Sequence, residues 1–126
     1  LSGHKGALTA VCIIPQPDIV VTGSMDADIR VWETGTRQAR AKTRTCKRIL
    51  KGHSRGVATI EYSPTQRIIV SAGFDHDVLV WSPVVSQVIC RLTGHGCSLV
   101  GVCVSQVSSE MVSMSNDGII KVRALR

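Results

Sequence analysis

The chain has 126 residues, of which 44% are hydrophobic and 19% charged, a balance that excludes disordered, low-complexity and collagen-like chains and allows one ordinary domain. The net charge of +6 is local. Arg37, Arg40, Lys42, Arg44, Lys47, Arg48 and Lys51 place seven positive charges and no acid between residues 37 and 51, which leaves eight basic and nine acidic residues elsewhere. The longest apolar runs, Ala10 to Ile14 and Leu99 to Val104, fall far short of the ~20 residues of a membrane helix. The first twenty residues lack the order of a signal peptide, and the start at Leu1 reads as a cut.

In chain order, apolar residues at Leu8, Val11 and Ile13 predict a first strand stopped by Pro15, and Ile19 to Thr22 a second. Turn residues then lead to a third strand, Asp28 to Trp32, and a fourth follows at about Cys46 to Leu50. The pattern starts again with Val57, Ile60 and Tyr62 before Pro64, then Ile68 to Ser71, Asp77 to Trp81 and Val88 to Leu92. Its third round is Leu99, Val102 and Val104, then Met111 to Ser113, then Ile119 to Arg123. No stretch carries a long 3.6-residue apolar period, so an all-β fold is expected.

Polar landmarks keep register through these rounds. Gly-His occurs at Gly3-His4, Gly52-His53 and Gly94-His95, each with a leucine two positions earlier, and an aspartate follows each histidine by 22 residues: Asp26, Asp75 and Asp117. Four residues before each aspartate stands a hydroxyl residue (Thr22, Ser71, Ser113), and six after it stand Trp32, Trp81 and, in the third copy, Arg123. Four short antiparallel strands per ~40–45 residues with this signature resemble the WD-repeat β-propeller family. The resemblance covers GHKGALTAVCIIP…VVTGSMDADIRVWE, GHSRGVATIEYSP…IVSAGFDHDVLVWS and GHGCSLVGVCVSQ…MVSMSNDGIIKVRA. It implies three blades of four antiparallel strands, about residues 1–50, 51–92 and 93–126. Rings of this kind take ~4–8 blades, so three read as an incomplete part of a larger ring, one that would self-associate in isolation.

Histidine, hydroxyl and aspartate together also compose an acyl-transfer triad. Three copies at constant spacing point instead to a structural unit repeated in every blade. In the family the aspartate accepts from the histidine, the histidine bonds the hydroxyl, and the hydroxyl meets the tryptophan N–H. The resemblance therefore implies one network of His4, Thr22, Asp26 and Trp32, a second of His53, Ser71, Asp75 and Trp81, and an incomplete third of His95, Ser113 and Asp117. The chain has no G-x-S-x-G, H-E-x-x-H or glycine-rich phosphate loop, so no catalytic residue, cofactor or enzymatic activity is expected. Nor is a metal site. The cysteines Cys12, Cys46, Cys90, Cys97 and Cys103 form no C-x-x-C, His76 reads as a turn residue, and the Asp-x-Asp pairs lack a calcium loop's glycine and distal glutamate.

An odd number of cysteines without a framework points to a reducing, cytoplasmic setting; Cys12 and Cys103, inside apolar runs, are expected to pack as small hydrophobes. Two partner surfaces follow. Trp32 to Leu50 encloses 17 residues where Trp81 to Leu92 encloses 10, so a basic insertion carrying Arg37, Arg40, Lys42, Arg44, Lys47 and Arg48 joins third strand to fourth. It suits an acidic protein partner better than nucleic acid, because it holds no aromatic residue for base stacking. Binding of nucleic acid or another anionic surface through residues 37–51 is the alternative. The second surface is implied by the family: the turn residues just before each aspartate, Met25, Phe74 and Asn116. A non-catalytic scaffold presenting loops to protein partners is the expected function. Ala72 to Pro83 further resembles a segment of a WD-repeat subfamily associated with cilia and flagella.

Overall fold

The computed structural model describes residues 5–14, 19–33, 46–64, 67–82, 88–93, 95–105 and 110–124. Eleven strands form among them: β1 (Leu8–Ile14), β2 (Ile19–Ser24), β3 (Ile29–Glu33), β4 (Cys46–Leu50), β5 (Val57–Ser63), β6 (Ile68–Gly73), β7 (Val78–Trp81), β8 (Val88–Leu92), β9 (Leu99–Val104), β10 (Glu110–Ser115) and β11 (Ile120–Ala124). They build three antiparallel meanders, β1-β2-β3-β4, β5-β6-β7-β8 and β9-β10-β11, with no helix among the described residues.

The sequence repeat becomes a repeat of register. Val11 faces Thr22, Ile60 faces Ser71 and Val102 faces Ser113 across the first two strands of each sheet. Register also shifts at matching places, between Val31 and Trp32 and between Val80 and Trp81. A bulge re-aims the side chain that it carries, and in both sheets that side chain is a buried tryptophan, 3% and 0% exposed.

Alternation along β6 shows why the sheets stack. Ile69 faces the first sheet, where Val57, Ile60, Leu79 and Trp81 of the second sheet meet Ile14, Val21, Ile29, Val31 and Leu50 of the first. Val70 and Ala72 point the other way and, with Val78 and Val80, meet Leu99, Val102, Val104 and Met111 of the third sheet. Full burial of one such side chain contributes ~1.5–3 kcal/mol, so the two inter-sheet cores dominate the stability. Gly23 permits the first of them, since a Cβ there would lie 2.8 Å from Val57 Cγ1.

The second sheet is covered on both faces and the outer two on one. On the first sheet Val11 and Ile13 are 66% and 68% exposed, beside a groove of about 520 Å³ lined by Leu8, Val11, Val20, Thr22 and Trp32 among others. On the third, Ile120 and Val122 are 62% and 63% exposed. Cys103, expected to pack as a small hydrophobe, is exposed on that face because no sheet among the described residues lies against it.

Strand starts depart from the sequence expectation in one consistent way. Asp28, Asp77 and Ile119 belong to turns rather than to the third strands. Their N–H groups donate to the aspartate two residues earlier, at 2.9, 3.4 and 3.3 Å, which removes them from the ladder. The residue between, Ala27, His76 or Gly118, takes positive φ of 73°, 73° and 85°. His76 is a half-buried turn residue, with no metal-holding cluster around it among the described residues.

Candidate functional site

The second sheet joins its four landmarks in one chain. Trp81 Nε1–H donates to Ser71 Oγ at 2.8 Å, Ser71 Oγ lies 2.7 Å from His53 Nε2, and His53 Nδ1 stands 3.0 Å from both oxygens of Asp75. Ser54 N–H adds a bond of 3.0 Å to the same carboxylate. The imidazole and carboxylate side chains are 1% and 3% exposed. Burial holds the His53 pKa below its ordinary value of 6.5, against the pull of the Asp75 charge. The neutral ring therefore donates from Nδ1 to Asp75 and accepts the Ser71 proton at Nε2, so every polar group in the chain is matched.

In the first sheet Trp32 Nε1–H donates to Thr22 Oγ1 at 2.8 Å, and Asp26 accepts the Lys5 amide at 2.8 Å. His4 lies outside the described residues.

The third sheet makes only half of the arrangement. His95 Nε2 lies 2.8 Å from Ser113 Oγ, but buried His95 Nδ1 has no partner among the described residues. Asp117 is exposed and accepts instead from Ser115 Oγ and from the Ile119 amide. The Ser115 hydroxyl, before all else, lowers the Asp117 pKa. Burial, then the charges of Lys121 and Arg123, lowers that of His95. Arg123, where the other sheets have tryptophan, sends its guanidinium to the Thr93 carbonyl.

One signal that the landmark spacing missed sits two residues before each aspartate, where the chain has Ser24, Gly73 and Ser115. A Cβ at Gly73 would stand 2.5 Å from Asp75 Oδ1 and 2.7 Å from His53 Nδ1. In the second sheet the absent side chain is thus the room in which histidine meets aspartate.

The two expected partner surfaces fare differently. Arg37, Arg40, Lys42 and Arg44 lie outside the described residues, and Lys47 is described by its backbone in β4 alone. Arg48 is half-buried on β4, and Lys51, 72% exposed, lies 3.4 Å from Asp28. The turn residues do come together. Met25, Phe74 and Asn116 send their N–H groups to the equivalent carbonyls of Ala7, Gly56 and Ser98 at 2.9, 2.9 and 2.8 Å. All three therefore stand at one end of the sheets.

Two stacked four-stranded meanders and a third of three strands among the described residues, with their first strands β1, β5 and β9 adjacent, are consecutive blades of β-propeller type. The sequence model described as "WD domain, G-beta repeat" matches residues 1–33 and 44–82, and the chain belongs to that WD40 family. The chain is 27% identical over 123 residues to Cilia- and flagella-associated protein 337 B of Tetrahymena thermophila, covering 98% of this chain and 9% of that protein. It thus spans under a tenth of the relative's length. WD40 repeats generally mediate protein–protein interaction and are typically non-catalytic.

Proposed function

We propose that residues 1–50, 51–92 and 93–126 are blades of a larger propeller that serves as a non-catalytic scaffold for protein partners. The observation that carries this reading is the pair of exposed outer faces. Val112 and Val122, 37% and 63% exposed, occupy the repeat positions of Val70 and Val80, which are 0% and 5% exposed between sheets. Val11 and Ile13 likewise occupy the positions of Ile60 and Tyr62, which pack in the first core. Faces of this kind are stable only against further sheets of the same repeat, supplied by the rest of the ring.

The histidine–hydroxyl pairs support an architectural role, since Ser71 and Ser113 are 0% exposed and beyond the reach of a substrate. Unpaired Cys12, Cys90, Cys97 and Cys103 support a reducing, cytoplasmic setting, and the named relative supports a ciliary one. The basic segment 37–51 offers contact to an acidic partner. Pull-downs with the full-length protein at two salt concentrations, with and without nuclease, test the reading. Protein partners that survive nuclease are the expected result. Partners lost with nuclease would move the function to nucleic-acid binding through residues 37–51.

A further inference from the structure

Resting on the reading of these sheets as blades of a larger ring, we infer that the sheet covering the first sheet's outer face carries a carboxylate that pairs with Arg30 across the interface. The backbone register places this side chain. Val21 and Val31 point into the first inter-sheet core, so Thr22, Arg30 and Trp32, which alternate with them along β2 and β3, point the other way. Val11, Thr22, Arg30 and Ile49 pair in one row across the sheet, beside the groove lined by Val11, Thr22 and Trp32. The second sheet repeats that row as Ile60, Ser71, Leu79 and Arg91, and there Leu79 is fully buried against the first sheet. Arg30 is therefore a cation at a position that the second sheet buries.

The guanidinium is unmatched. Arg30 is half-buried even with this face open, its Nε is buried without an acceptor, and it makes no ion pair among the described residues. A guanidinium is not deprotonated in proteins, so a covering sheet as apolar as the one that meets Leu79 would strand the charge. A carboxylate supplies both the opposite sign and two acceptors for the planar fork. The repeat admits a carboxylate on a face of this kind. Ile19 of the first sheet packs toward the second and Ile68 of the second toward the third, whereas the third sheet has Glu110 at the same position, exposed on its outer face. Charged residues thus replace apolar ones on both outer faces, and with opposite sign. The occupant is a further blade of the same protein, since this face continues the stacking of first sheet on second and second on third.

The test uses the full-length protein. Arg30→Leu puts the second sheet's residue at this position, so a packing role alone would leave the melting temperature unchanged or raise it. The expected result is a fall of ~5 °C or more, because a buried carboxylate is left without its partner, and a smaller fall for Arg30→Lys, which keeps the charge. A melting temperature for Arg30→Leu at or above that of the unsubstituted protein would overturn the inference, as would an equal or larger fall for Arg30→Lys. A cryo-electron-microscopy map of the full-length protein reads the contact directly, and a carboxylate of a neighbouring blade within hydrogen-bond distance of the Arg30 guanidinium is expected. A neighbouring blade that leaves the guanidinium unpaired, or meets it only with main-chain carbonyls or water, overturns the inference and leaves the ring reading standing. An outer face that no blade covers overturns both. The scaffold reading fails separately, by loss of all nuclease-resistant partners in the pull-down.

Discussion

The second and third sheets carry the same histidine, serine and aspartate at the same spacing, yet only the second brings all three together. In the second, His53 sits between Ser71 and Asp75 with both ring nitrogens engaged. In the third, His95 keeps its serine while its other nitrogen is buried and unmatched among the described residues. Residue types at a fixed interval therefore set what can meet, and the neighbours decide what does. Ser115 offers Asp117 a hydroxyl, and the carboxylate takes it. A serine alone does not force this outcome, because in the first sheet Ser24 Oγ accepts from the Asp26 amide and Asp26 still takes the Lys5 amide. The third sheet also has Arg123 where a tryptophan would donate to its serine. The family model stops at residue 82, before the copy in which the arrangement opens.

The largest expected effect compares the two aspartates directly. Asp75→Ala leaves buried His53 Nδ1 without an acceptor and removes the bond from Ser54, a loss of ~2–3 kcal/mol for a charged acceptor. Asp117→Ala removes an exposed group that His95 does not touch, and a clearly smaller loss is expected. Chemical denaturation of both variants checks this, and equal losses would erase the distinction between the sheets. A smaller effect follows from the position two residues earlier. Gly73→Ala, with its Cβ forced against Asp75 and His53, should cost ~1–2 kcal/mol. Ser115→Gly should be neutral or gain up to ~1 kcal/mol as Asp117 is released toward His95. A rise in stability for Gly73→Ala would show that the close approach there is not what holds the network.

Much of this was legible in the sequence because it is written three times. Any one run such as Ile68 to Ser71 is ambiguous, but three runs with the same distances to Gly-His and Asp fix eleven strands to within a residue or two. Trp32–Thr22 and Trp81–Ser71 follow for the same reason, since both pairs are ten residues apart across equivalent hairpins. The misses are local or non-repeating. The strand starts slip by one residue because an aspartate side chain captures the amide two positions on, a choice made by hydrogen bonding rather than by apolar pattern. The exposure of Cys103 and Val122 depends on whether a further sheet lies alongside, which an apolar residue does not report. The turn of Asp117 toward Ser115 rests on a position whose change from glycine to serine alters no hydrophobic period.

The comparison can be sharpened by acid. Both histidines have folded-state pKa values below the ordinary 6.5, His53 through burial that outweighs the Asp75 charge and His95 through burial reinforced by Lys121 and Arg123. Below pH 6.5 the unfolded chain therefore binds more protons than the folded one, and ΔG of unfolding falls as pH falls. Above it both states carry neutral rings and the contribution vanishes. Cys97 and Asp117, the other titratable groups that touch each other near His95, differ in direction. The thiol stays protonated across this range, and the Asp117 carboxyl, held low by Ser115, contributes only at more acidic pH. The two histidines should separate when each is replaced by glutamine. His95→Gln removes a ring whose pKa burial, Lys121 and Arg123 lower against the smaller opposing pull of the Asp117 charge, so it should flatten the decline between pH 6.5 and ~5. His53→Gln should flatten it too while lowering the plateau at neutral pH, because Asp75 and Ser71 then lose a partner that fits both. The effect is the smallest expected, since it is absent at neutral pH. Denaturation midpoints at half-unit pH steps measure it, and a decline between pH 6.5 and ~5 that survives both substitutions would place the acid sensitivity outside these two histidines.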